Sequence, residues 1–281
     1  MANSMMKTLG IHTMVILALW FGLAVPVLAA DFATTKLKAE QGHADAQYRL
    51  ALMYDYGEDI DQDYAQAFKW YQKSANQGYP EAQYNLGWMY KNAHGMPEDN
   101  AKAVEWYQKA ANQGYAPAQA TLGSMYYSGK GVAQNYAKAV EWYLMAANQR
   151  EATGQYNMGV SYYQGLALPQ DYEKAIEWYQ KAADQGFSDA QYNLGLMLEK
   201  GEGVTQNYNR ALKWYQDAGN QGNASAQYRL GVMYAEGEGV SSDIVQAKEW
   251  YQNACSNGHI KGCKAYDKLN QKEQRLPSSN K

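Results

Sequence analysis

Beyond residue 30, the side chains that could support catalysis or metal binding are three histidines, two cysteines and a recurrent glutamate. Their spacing argues against both. His43, His94 and His259 lie in widely separated stretches, and no two stand four residues apart, as a helical metal site would want. Each reads as a solvated loop or helix-end residue. Glu105 and Glu141 follow Lys102 and Lys138 by three positions, the spacing of surface ion pairs on a helix rather than of two converging catalytic carboxylates. Cys255 and Cys263, eight positions apart, have neither Cys-x-x-Cys spacing nor an accompanying histidine pair, which weakens a redox or metal role and favours a disulfide if the chain is exported. No metal, cofactor or catalytic residue is therefore expected. What remains is recognition by aromatic side chains, and those are abundant.

The elements that must position these aromatics are strictly periodic. Trp70, Trp106, Trp142, Trp178, Trp214 and Trp250 recur every 36 residues, each followed by a tyrosine. A period of this size means stacked units rather than one globular core. Within each unit the columns beginning at Leu50 and Tyr54 sit four residues apart, on one face of a first helix. Gly87, Gly123, Gly159, Gly195 and Gly231 recur inside that helix, where glycine costs about 1 kcal/mol, so a close helix approach is expected there. Loops such as Gly129-Lys130-Gly131-Val132 lead to Asp63, Asp99, Asn135, Asp171, Asn207 and Asp243, good N-caps for a second helix. Gly78, Gly114, Gly186, Gly222 and Gly258 suit its left-handed end.

The ends and the charge narrow the setting. Lys7, the apolar run Met14 to Val27 and the small residues Leu28-Ala29-Ala30 form an export signal, with the mature chain starting near Asp31. This predicts a periplasmic or secreted protein with no integral membrane segment after cleavage. The 25 basic and 28 acidic residues are interleaved, so no cationic track for nucleic acid is expected.

The pattern Ala-x-Ala-Gln-Tyr-x-Leu-Gly-x-Met-Tyr, Gly-x-Gly-Val, Asp-Tyr, Ala-x-x-Trp-Tyr, Ala-Ala, Gln-Gly resembles the Sel1-like repeat family. The resemblance implies an all-α fold: a right-handed α/α solenoid of six 36-residue helix-turn-helix repeats with flanking half-repeats, related to tetratricopeptide arrays. The expected divisions are a signal peptide at 1–30, a capping helix at 31–42, and repeats at 43–78, 79–114, 115–150, 151–186, 187–222 and 223–258. A C-terminal cap at 259–270 and a disordered tail at 271–281 complete them. In the cysteine-rich branch of that family a similarly spaced pair bridges one repeat to the next, which implies the same for Cys255 and Cys263. The family also implies a non-catalytic adaptor binding a protein or peptide. Some members are immunity proteins that neutralise antibacterial effectors such as phospholipases, and some relatives bind and weakly hydrolyse β-lactams. The repeats carry no Ser-x-x-Lys arrangement for that last chemistry.

In such a superhelix the first helices line the concave wall, and the stripe left over from packing faces the groove. It places Tyr48, Tyr84, Trp88, Lys91, Tyr127, Tyr156, Tyr163, Tyr192 and Tyr228 in a partner-binding groove, and a monomer is expected. Trp88 is the one mature tryptophan outside the repeat column, and tryptophan is enriched at interface hot spots. Three departures in the middle copies also stand out. Arg150 replaces the terminating glycine, Gly154 a small alanine and Ala120 a tyrosine. A change of curvature is expected near Arg150.

Overall fold

The structure, a computed structural model, describes residues 32–275. The export segment, and the tail from residue 276 onward, lie outside the described residues. Fourteen helices are present among those described. Helix α1 (Phe32–Glu40) caps the front. The first and second helices of the six repeats then alternate: α2 (Ala44–Tyr56) and α3 (Tyr64–Asn76), α4 (Pro80–Asn92) and α5 (Asn100–Asn112), α6 (Ala116–Ser128) and α7 (Tyr136–Asn148). The array continues with α8 (Ala152–Gln164) and α9 (Tyr172–Ala183), α10 (Ser188–Lys200) and α11 (Tyr208–Asn220), α12 (Ala224–Glu236) and α13 (Ile244–Ser256). Helix α14 (Ile260–Arg275) closes it, running five residues past the end expected for the cap. Each helix packs on the one before and the one after, making an α/α solenoid.

Local chemistry sets the boundaries. Asp63, Asp99, Asn135, Asp171, Asn207 and Asp243 each accept backbone N–H bonds at the start of a second helix, satisfying donors that the first turn leaves orphaned. Gly78, Gly114, Gly186, Gly222 and Gly258 end those helices with left-handed backbone.

The recurrent glycine inside the first helix makes room for the tyrosine of the Trp-Tyr pair. A Cβ on Gly159 would lie 2.5 Å from the Tyr179 ring, and one on Gly195 would lie 2.6 Å from Tyr215. Tyr107 under Gly87 and Tyr215 under Gly195 are fully buried as a result, and Tyr71 is equally buried in the first repeat, where the small Ala51 holds the glycine position. The tryptophan of the pair packs on the core as well, but less deeply than the tyrosine. Trp70 is buried, and Trp106, Trp142, Trp178, Trp214 and Trp250 are half-buried against the hydrophobic clusters of the array. Lysines lie across several of them, with Lys109 Nζ 3.7 Å from the Trp106 ring and Lys181 Nζ 3.8 Å from Trp178, a favourable cation–π placement.

A buried glutamine ladder joins the repeats. Gln83 Nε2 donates to the Ala75 carbonyl at 3.1 Å, and Gln83 Oε1 accepts from Gln113 Nε2 at 2.8 Å. The same pair of bonds recurs at Gln47, Gln119, Gln155, Gln191 and Gln227. At the last junction Cys263 occupies the glutamine position and is disulfide-bonded to Cys255, which stands where the carbonyl-bearing Gly219 stands one repeat earlier. A covalent bond thus replaces the ladder at the end repeat, which has one neighbour instead of two.

A change of curvature was expected near Arg150, and the turn there has the same capping bonds as its neighbours. Arg150 adopts φ 65° and keeps the capping bonds of its glycine counterparts, donating to the Ala147 carbonyl at 2.9 Å while Glu151 donates to Ala146 at 3.1 Å. The corresponding bonds at Gly114 and Tyr115 are 3.0 and 3.1 Å. The surrounding bonds hold the arginine in a conformation that costs a β-carbon-bearing residue roughly 1–2 kcal/mol. Gly154 has its own packing reason: a Cβ there would lie 2.7 Å from the Ala146 Cβ.

Candidate binding groove

The first helices lie along one face, with clefts opening between successive repeats. One lies between α2 and α4 and includes Asp55, Tyr84 and Trp88. Another lies between α8 and α10, with Tyr156, Tyr163 and Leu196 on its walls. A third is shared by α10, α12 and the start of α14, and takes in Tyr192, Tyr228 and Arg229. Five of the tyrosines expected in the groove, Tyr84, Tyr156, Tyr163, Tyr192 and Tyr228, together with Trp88, therefore border clefts on this face.

The tyrosines also pack, which the sequence reading did not anticipate. Tyr48 sits with its ring 5.9 Å from Tyr71 and 5.1 Å from Tyr79. The same trio is built by Tyr84 with Tyr107 and Tyr115, by Tyr156 with Tyr179 and Phe187, and by Tyr228 with Tyr251 and His259. Its third member is the residue that opens the next first helix, a position whose recurring aromatic character was visible in the sequence. Burial in this trio pushes the Tyr48 hydroxyl up to about 12. Tyr48, Tyr84, Tyr156 and Tyr228 are half-buried and give the groove only part of their surface, while their partners Tyr71, Tyr107, Tyr179 and Tyr251 are buried. In the third repeat the trio is absent, because Ala120 is buried where the other copies hold tyrosine and Glu151 takes the third place.

Hydroxyls and charges tie neighbouring repeats across the face. Tyr127 Oη donates to Gln164 Oε1 at 3.2 Å, and Tyr163 Oη donates to Glu202 Oε2 at 2.9 Å. Burial, with the neighbouring Glu202 carboxylate, pushes the Tyr163 hydroxyl up to about 12. Tyr192 lies 5.8 Å from Tyr215 by ring centroids. Lys91 is half-buried on α4, one turn beyond Trp88.

Two histidines differ from the solvated residues expected. The His94 ring lies 4.7 Å from Tyr64 and 4.5 Å from Trp88, and its Nδ1 is buried without a hydrogen-bond partner. His259 stacks on Tyr228 and accepts the Gly262 backbone N–H at Nδ1, and burial, aided by the nearby Lys261 charge, lowers its pKa. His43 is exposed at the start of α2. Among the described residues no three His, Cys, Asp or Glu side chains gather as metal ligands.

Six consecutive segments, residues 44–79, 80–115, 116–150, 152–187, 188–223 and 224–259, match the model of the Sel1 repeat. The chain belongs to the Sel1 repeat family. Among solved Sel1-type structures, it is 36% identical to a protective antigen present in uropathogenic Escherichia coli strains, with a TM-score of 0.78 over 87% of this chain. This chain spans about half of that protein, 52% of its length. It is 32% identical to a Sel1 repeat protein from Oxalobacter formigenes, with a TM-score of 0.73, 76% of this chain and 86% of that one being covered. An immunity protein from Pseudomonas aeruginosa shares the fold at 24% identity and a TM-score of 0.51, over 77% of this chain and 83% of its own. A comparison with curated proteins gave no match. No described helix of this Sel1 repeat protein is long and apolar enough to cross a membrane.

Proposed function

We propose that this Sel1 repeat protein is an exported, non-catalytic adaptor that binds a protein or peptide along the face of its first helices, acting as a monomer in the periplasm or outside the cell. The observation that carries this reading is Trp88. It breaks the repeat pattern, is 37% exposed, and stands on a cleft wall rather than in the core. A solenoid gains a long binding surface by stacking identical packing columns, so a large aromatic outside those columns is best explained by recognition. Tyr48, Tyr84, Lys91, Tyr127, Tyr156, Tyr163, Tyr192 and Tyr228 complete the proposed contact surface. Export rests on the N-terminal signal pattern of residues 1–30 and accords with the paired cysteines.

An immunity role is the special case in which the bound protein is an antibacterial effector. The kinship with the Pseudomonas immunity protein is one of fold, and co-expression with a neighbouring toxin gene would separate that role from a general adaptor. The adaptor reading is tested by quantitative capture from envelope extracts using wild-type protein and the Trp88→Ala and Tyr127→Ala variants. A partner retained by wild type and lost by the variants supports it. Equal retention by all three refutes it.

A further inference from the structure

The cleft beside Trp88 has an internal counterpart elsewhere in the same chain, and the two differ in one charge. At the junction of the fifth and sixth repeats, Glu199 on α10 accepts the Tyr215 hydroxyl at 2.7 Å and pairs with Arg229 on α12, whose Nε lies 3.0 Å from Oε2. Four repeats earlier the same three positions hold Asp55, Tyr71 and Asn85. Asp55 accepts the Tyr71 hydroxyl at 3.0 Å, as Glu199 does from Tyr215. Asn85, neutral and shorter, stands where Arg229 supplies the guanidinium. Within this column only Asp55 and Glu199 are acidic, the other repeats carrying Lys91, Tyr127, Tyr163 and Ala235.

We propose that the cleft between the first two repeats receives an arginine side chain from the partner protein, with Asp55 as its carboxylate and Trp88 and Tyr84 as its aromatic walls. This rests on the groove reading and names the chemistry of the partner at one point. The cleft has a volume of about 380 Å³, and Tyr56, Tyr64 and His94 complete its aromatic rim. That is at the small end of ligand-sized cavities, roughly 300–1,000 Å³, and suits one long side chain. No lysine or arginine borders it. Asp55 is only 9% exposed, and burial raises its pKa against the opposing effects of the Tyr71 hydrogen bond and the His94 charge. A desolvated carboxylate of this kind gains from a hydrogen-bonding cation. A guanidinium meets both features, since it bonds carboxylates in a fork and stacks on aromatic faces.

The test is an NMR titration of the labelled protein, following the Trp88 indole N–H. The probes are acetyl-Gly-Arg-Gly-amide, its citrulline analogue, its lysine analogue and free L-arginine. The arginine peptide is expected to saturate the signal, with the other three weaker by about tenfold or more, because citrulline lacks the charge, lysine the planar fork and free arginine the flanking peptide. Asp55→Asn keeps an acceptor for Tyr71 and is expected to abolish binding. Asn85→Arg is expected to abolish it too, by supplying internally the guanidinium that Arg229 gives Glu199, while retaining or raising the melting temperature. The proposal is overturned by equal binding of the citrulline peptide, by free arginine matching the peptide, by no response of Trp88 to the arginine peptide, or by unchanged binding in Asn85→Arg. A partner that is lost by Trp88→Ala but kept by Asn85→Arg would leave the groove reading standing and remove the arginine.

Discussion

Replacing Tyr107 with phenylalanine is expected to stabilise the protein, whereas the same change at Tyr215 is expected to destabilise it. Both rings are fully buried under a first-helix glycine. The Tyr215 hydroxyl donates to Glu199, but the Tyr107 hydroxyl is buried without a hydrogen-bond partner. The difference traces to one column: Glu199 supplies an acceptor, while its counterpart two residues short of Ala93, Lys91, has an ammonium that can only donate. An unsatisfied buried hydroxyl costs about 1–3 kcal/mol, and a hydrogen bond to a charged group contributes about 1.5–3 kcal/mol. Tyr107→Phe should therefore raise stability by about 1–3 kcal/mol and Tyr215→Phe lower it by a similar amount. For a chain of this size, that corresponds to roughly 2–4 °C in Tm per kcal/mol. Calorimetry and urea unfolding of the two variants beside wild type would measure it, with m-values checked because long repeat arrays can lose two-state behaviour. If both variants shift in the same direction, the assignment of the unpaired hydroxyl is wrong.

Gly195→Ala should lower the melting temperature despite alanine's better helix propensity of about 1 kcal/mol, because its Cβ would meet the Tyr215 ring at 2.6 Å and overpacking costs about 1–3 kcal/mol. Arg150→Gly should raise the urea midpoint, since it relieves a left-handed arginine whose helix end is otherwise built like its neighbours. The Asp171 cap has its pKa lowered chiefly by the Lys174 backbone N–H, then by the Lys174 ammonium. A depressed carboxylate contributes stability above its unfolded pKa and loses it as pH falls through the folded value, so the advantage of wild type over Asp171→Asn should shrink between about pH 5 and pH 2 in a melting series.

The architecture was legible because packing repeats. The Leu50 and Tyr54 columns, the Asp and Asn caps and the terminating glycines recur under identical constraints, so one sequence holds several readings of each contact. The balance within the Trp-Tyr pair was not legible in the same way. Both residues recur with equal regularity, and only the close approach at Gly159 and its counterparts decides that tyrosine enters the core while most of the tryptophans stay half-buried against it. The glutamine ladder was hidden for another reason. Gln83 and Gln113 are 30 residues apart in sequence, and nothing in either motif says that one amide binds the other. Asp55 shares the repeat column of Lys91, Tyr127 and Tyr163, but its burial and its bond to Tyr71 come from a packing arrangement that only the assembled helices reveal. His94 is similar: as a loop residue it looked solvated, yet Trp88 and Tyr64 enclose it.

The central claim is that the first helices form the binding face. It is tested most directly by hydrogen-exchange mass spectrometry of the protein with and without its captured partner. Protection is predicted on the first helices α2, α4, α6, α8, α10 and α12, centred on the segment around Trp88, with the second helices exchanging as in the free protein. Protection confined to the second helices, with the Trp88 segment unchanged, would contradict it.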